Sequence, residues 1–220
     1  MFKEEMKMNI LLIEDKEIEV AKEATKNFPE HNFDFATDYR QALSLLENKQ
    51  YDLVITDIFF PEETGSGKKE LGYKIFIRIL INGDFPKDAI EALQRVYEMD
   101  NPNKFDLSMY VKGYDTCDTG IHGNMSDFYD LIRNNDETEQ PLGVLIEDHC
   151  HKKNIPCMIV TSRDHHYYNL SYAQNLFNSF SLWEEKANKE KKETWINVIN
   201  KIPKALKTFK LRQNHPGWYR

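Results

Sequence analysis

The sequence predicts an α/β protein built on an open parallel sheet, on three observations. Short, almost wholly apolar runs occur at Met8–Ile13, Leu53–Thr56 and Cys157–Val160. Stretches with helical spacing of apolar residues lie between them, and each run stops at an acidic or hydroxyl residue. Continuous apolar runs mark strands covered on both faces, and their alternation with helices marks a parallel sheet with helices on both sides.

Met8–Ile13 (MNILLI) is the first strand and ends at Glu14-Asp15. A helix follows over about Lys16–Asn27, with Ile18, Ala21 and Thr25 at helical spacing and Pro29 as its stop. Asn32–Ala36 reads as the second strand, and Asp38 caps a helix carrying Ala42, Leu43, Leu45 and Leu46. Leu53–Thr56 is the third strand and delivers Asp57. The rhythm then breaks over Glu62–Gln140, which contains an apolar stretch at Leu71–Ile81 and helical candidates at Pro86–Tyr97 and Asp127–Arg133. It resumes with a helix at Gly143–Lys153 and the strand Cys157–Val160, followed by Thr161-Ser162. A helix near Tyr172–Phe177 and a fifth strand near Phe180–Trp183 complete the pattern. A charge run, Glu184–Glu193, precedes a last helix over Thr194–Phe209 that Pro203 should kink or split.

Composition sets the bounds. The 220 residues are 40% hydrophobic and 30% charged, which fits a packed core and excludes global disorder. A net charge of −7 argues against general nucleic-acid binding. No apolar run is long enough to span a bilayer, and MFKEEMKMN lacks the apolar core of a signal peptide. Cys117, Cys150 and Cys157 are few, odd in number and without a CxxC pair, so reduced thiols in a cytoplasm are expected. From Thr194 onward the chain has no acid, while Lys201, Lys204, Lys207, Lys210, Arg212 and Arg220 are basic. A solvated face explains this strip; docking of an acidic partner or nucleic acid is the alternative.

In open α/β sheets, function gathers at the carboxyl ends of the strands. Glu14, Asp15 and Asp57 are all placed there. Three converging acids repel one another unless a divalent cation sits among them, and Mg²⁺ suits hard oxygen ligands while keeping several waters. A carboxylate beside such an ion can attack phosphorus and become an acyl phosphate. Thr161 could donate its hydroxyl to a phosphoryl oxygen, and a lysine after the fifth strand would neutralise developing charge.

At "ILLIED", "LVITDIFFP" and "IPCMIVTS" the chain resembles the receiver domain of two-component response regulators, over about residues 8–61 and 141–162 and more loosely over 163–205. The resemblance implies a flavodoxin-like, doubly wound, five-stranded parallel sheet of order 2-1-3-4-5. It implies a receiver-like unit over 1–61 and 141–210, an insertion over 62–140 between the third strand and third helix, and a tail over 211–220. Asp57 would be the phosphoacceptor. Asp15, Asp57 and the backbone carbonyl of Phe59 would bind Mg²⁺, with Glu14 helping directly or through water, and Thr161 would be the switch hydroxyl. The implied partners are a histidine kinase or phosphotransfer protein as donor and an output protein. No classical enzyme is implied beyond Mg²⁺-dependent self-phosphorylation and autodephosphorylation. A pseudo-receiver that never takes up phosphate and acts as a protein-binding module is the alternative.

Two features depart from that pattern. Gly72 and Gly143 compete for the glycine that opens the third helix; Gly143 is preferred because its helix runs directly into Pro156 and the fourth strand. The active-site lysine is not fixed either: Lys186 and Lys192 are favoured, with Lys189 and Lys191 between them.

Other chemistries fit less well. In "EETGSGKKE" Glu62 stands where a nucleotide-binding loop needs its first glycine, and Lys69 replaces the Ser/Thr. A phosphohydrolase of the haloacid dehalogenase type needs a second aspartate two residues after the nucleophile, where this chain has Phe59. His149, Cys150 and His151 do not share one helix face, so they make a poor zinc site. Glu14-Asp15 could also simply cap the first helix.

Overall fold

The computed structural model describes residues 7–66, 71, 139–140, 142–162, 182–184 and 187–214. The described elements are β1 (Asn9–Ile13), α1 (Ile18–Thr25), β2 (Asn32–Ala36), α2 (Tyr39–Asn48), β3 (Leu53–Thr56), β4 (Phe60–Pro61), β5 (Glu139–Gln140), α3 (Gly143–Lys152), β6 (Cys157–Val160), β7 (Leu182–Glu184), α4 (Lys192–Asn200) and α5 (Ile202–Asn214). The helical candidates within 72–138 and at 172–177 lie outside the described residues, as do Cys117 and residues 180–181 of the expected fifth strand.

The chain is α/β with a parallel sheet in which β2, β1, β3, β6 and β7 are neighbours in that order. Register aligns the carboxyl ends: Ile13 pairs with both Ala36 and Thr56, Thr56 with Ile159, and Val160 with Glu184. Strand residues alternate between faces. Ile10, Leu12, Leu53, Ile55, Met158 and Val160 pack with Ala21 and Ala24 of α1, Trp195, Val198 and Ile199 of α4, and Ile202 and Ala205 of α5. Leu11, Ile13, Val54 and Ile159 point to the opposite face, and all are buried. There α3 packs on β3, β6 and α2. Burial on both faces is why these strands read as unbroken apolar runs.

Local chemistry accounts for the helix ends. Asp38 caps α2 by accepting the Gln41 amide at 2.8 Å. The long final helix expected over Thr194–Phe209 is two helices, parted at Lys201. Pro203 stands in the first turn of α5, where its missing N–H costs nothing. On α5, Lys204, Lys207 and Lys210 are exposed while Ile202, Ala205 and Phe209 are buried, the pattern of a solvated basic face over an apolar one. No helix among the described residues is long and apolar enough to cross a membrane.

Two short strands were not anticipated. Phe60 and Pro61 form a short antiparallel pair with Gln140 and Glu139, so the chain leaves and returns at one place. The departing side is tied to the start of α2. The buried Glu62 pairs with the Arg40 guanidinium, and its carbonyl accepts the Arg40 amide at 3.1 Å. Thr64 donates through its amide (3.2 Å) and its hydroxyl (2.9 Å) to Asp38 Oδ2. The residue that departs from the nucleotide-loop pattern, Glu62, is thus a structural anchor.

Candidate functional site

The sheet ladder continues past the strand ends and fixes the residues that follow. Glu14 N donates to Ala36 O (3.1 Å) and Asp57 N to Ile13 O (3.0 Å). Thr161 N donates to Glu184 O (2.9 Å), and Ala187 N to Thr161 O (3.0 Å). Glu14, Asp57 and Thr161 therefore stand in adjacent columns at the carboxyl end of the sheet, all buried. Together with Asp15, Phe59 and Lys189 they line a cavity of about 500 Å³.

Glu14, Asp15 and Asp57 each bring a carboxylate oxygen to within 4.8 Å of the others, a group able to hold a metal ion. His149, Cys150 and His151 form no such group among the described residues. Glu14 has two tasks. Its Oε1 accepts the amides of Lys16 (3.3 Å) and Glu17 (3.2 Å) ahead of α1, and its Oε2 accepts from Lys189 Nζ at 2.8 Å. The helix-end role and the site role thus coexist in one side chain, and they delay α1 to Ile18, two residues later than the sequence suggests. Asp57 Oδ1 accepts the Ile58 amide at 2.7 Å, and Oδ2 is in contact with Lys189 Nζ.

Among the described residues the lysine at the site is Lys189, which lies between the two candidates favoured from sequence. Lys192 opens α4, where its charge acts on Glu23 of α1; Lys186 lies outside the described residues. The chain after β7 alternates: Ala187 is buried, Asn188 exposed, Lys189 buried and Glu190 exposed. Ala187 keeps the ladder to Thr161, so the residue two further on points back at the acids. Nothing in the sequence singles it out within a charge run with lysines at 186, 189, 191 and 192.

Burial pushes the Asp57 carboxyl up to about 6, with Glu14 adding to the rise and Lys189 opposing it. Burial alone would pull Lys189 down, but Asp57 and Glu14 outweigh it and hold the ammonium above its ordinary range. The lysine stays charged while Asp57 titrates within reach of neutrality. Three carboxylates cluster here and one ammonium contacts two of them, so the site carries surplus negative charge and its candidate ligands are all oxygens, a set that fits a hard divalent cation.

A pH dependence follows. The folded state binds the Asp57 proton more tightly than the unfolded chain, so this group favours folding most at low pH. The contribution disappears as pH climbs from about 4 to about 6. In metal-free buffer, Asp57→Asn, which stays neutral, should gain on the order of 2 kcal/mol relative to wild type over that interval and hold it above. Urea midpoints from pH 4 to 8 check this; a constant difference between the two proteins would refute it.

No family model, curated protein or solved structure matches this chain.

Proposed function

We propose that the chain is a receiver-like phosphoacceptor on a flavodoxin-like sheet, with the segment between β4 and β5 as an insertion, taking a phosphoryl group on Asp57 and changing its protein contacts in response. One observation carries this reading: a buried lysine touches both Glu14 and Asp57 at the carboxyl ends of adjacent parallel strands, with Asp15 completing an oxygen-only metal group. The strand order supports the fold assignment, since the chain reverses direction across the sheet between β1 and β3, where such folds place their sites.

Asp15, Asp57 and the carbonyl of Phe59 would hold Mg²⁺, with Glu14 behind them. When bound, the ion supplies charge neutralisation for phosphoryl oxygens. The remaining work falls to the chain. A carboxylate oxygen of Asp57 forms the new bond to phosphorus while the P–N bond of a donor phosphohistidine breaks and the imidazole leaves with the electron pair. Lys189, held protonated, offsets charge on the transferring group, and the Thr161 hydroxyl donates to a phosphoryl oxygen. The donor would be a histidine kinase or phosphotransfer protein, and the output a protein contact.

Incubation with acetyl phosphate and Mg²⁺ should add the mass of one phosphoryl group, absent in Asp57→Ala and in the presence of EDTA. A wild-type chain that gains no mass and shows no spectral response to beryllofluoride would instead be a binding module that keeps the acids without turnover.

A further inference from the structure

An indole N–H can only donate, so a buried tryptophan must find an acceptor. Trp195 is almost wholly buried in the core that α1, α4 and α5 share with the sheet, and its Nε1 donates to the backbone carbonyl of Lys189 at 2.9 Å. The Lys189 amide donates to Ala187 O at 3.0 Å, and the Ala187 amide to Thr161 O at 3.0 Å. The lysine backbone is therefore held on one side by the sheet ladder and on the other by the core. A lysine side chain has a long flexible stem, so its ammonium reaches two carboxylates in one geometry only if its Cα is fixed. Trp195 is not among the residues lining the cavity, and its indole N–H is directed to the lysine backbone rather than to an acid.

We propose that Trp195 is the positioning residue for Lys189: its indole N–H fixes the turn that aims the ammonium at Glu14 and Asp57. The inference rests on the reading of Asp57 as phosphoacceptor. It makes the core packing of α4 part of the site, because whatever shifts that helix shifts the lysine.

The test is a double-mutant cycle in saturating Mg²⁺ with beryllofluoride as the probe. Trp195→Phe, which keeps an aromatic ring and loses the donor, should weaken beryllofluoride binding about tenfold while leaving Mg²⁺ affinity within about twofold. Added to Lys189→Met, it should cost nothing more, since Trp195 acts through the lysine. Losses that multiply in the double variant would overturn the proposal. A second measurement does not need phosphoryl chemistry. In the metal-free wild type, nitrogen-15 NMR should show one slowly exchanging lysine ammonium, assigned by its loss in Lys189→Arg. That signal should broaden in Trp195→Phe and persist in the core variant Val198→Ala; persistence in Trp195→Phe would sink the idea. Should Trp195→Phe fail to fold, benzothienylalanine at position 195 alone removes the N–H and keeps the ring area, with the same two outcomes. A wild type that ignores beryllofluoride but shows the ammonium behaviour would reject the phosphoacceptor reading and retain the positioning role.

Discussion

Lys189→Met is expected to destabilise the metal-free protein by about 3–5 kcal/mol at pH 8, the usual cost of removing one partner from a buried ion pair. Glu14 and Asp57 would be left as buried neighbours with no cation between them, and no rearrangement of Glu14 can help while its other oxygen holds the amides ahead of α1. Two conditions should restore much of the loss. Lowering the pH protonates Asp57, whose carboxyl already sits at about 6 and rises further once the ammonium is gone. Adding Mg²⁺ returns positive charge to the same oxygens. Denaturant unfolding at pH 5 and pH 8, with and without Mg²⁺, measures all of this. A variant as stable as wild type at pH 8 without metal would mean that the lysine and the acids are not coupled. In the Mg²⁺-restored protein, phosphoryl uptake from acetyl phosphate should fall by about 10²–10³-fold, the scale for losing one donor aimed at developing charge.

Gly143→Ala is expected to cost about 3 kcal/mol or more, at the upper end of overpacking penalties. The glycine is required for space. A Cβ there would lie 2.7 Å from the Cα of Ile58 and closer still to the carbonyl oxygen of Asp57. Neither is the movable end of a side chain. The first helical amide of α3, that of Gly143, donates to Ile58 O at 2.9 Å, which holds the helix against the loop that follows Asp57. The added methyl must push α3 away or displace the Asp57–Ile58 peptide. Thermal unfolding reports the first effect, and the Mg²⁺ affinity of whatever folded protein remains reports the second. An alanine variant with unchanged stability and metal affinity would show that this contact is slack.

How much could be read from the chain follows from what each feature depends on. β1, β3 and β6 were legible because burial on both faces leaves them almost wholly apolar, with Asn9 and Thr56 as polar residues only at strand ends. Glu14, Asp57 and Thr161 were legible because each is the first residue after such a run, and parallel register brings the ends level. Gly143 could be preferred over Gly72 because its helix leads straight into the next strand. Lys189 was not legible, because its aim depends on how the chain turns between β7 and α4, and four lysines of the charge run share the same composition. β4 was missed because two residues, Phe60 and Pro61, have no period to detect; their pairing exists only through residues about eighty positions away. The division of the final helix at Lys201 was half legible, since Pro203 pointed to a break but served as the opening turn of α5.

The antiparallel clasp of Phe60-Pro61 with Glu139-Gln140 works as a socket. A polypeptide plugged in there contributes two attachment points about 5 Å apart, whatever its size, and doubling its length adds only about 0.6 kcal/mol of closure entropy. A change in the length of the chain it closes is therefore a small entropic cost to the fold. The socket opens only three residues beyond Asp57, so the chain it closes starts beside the candidate site.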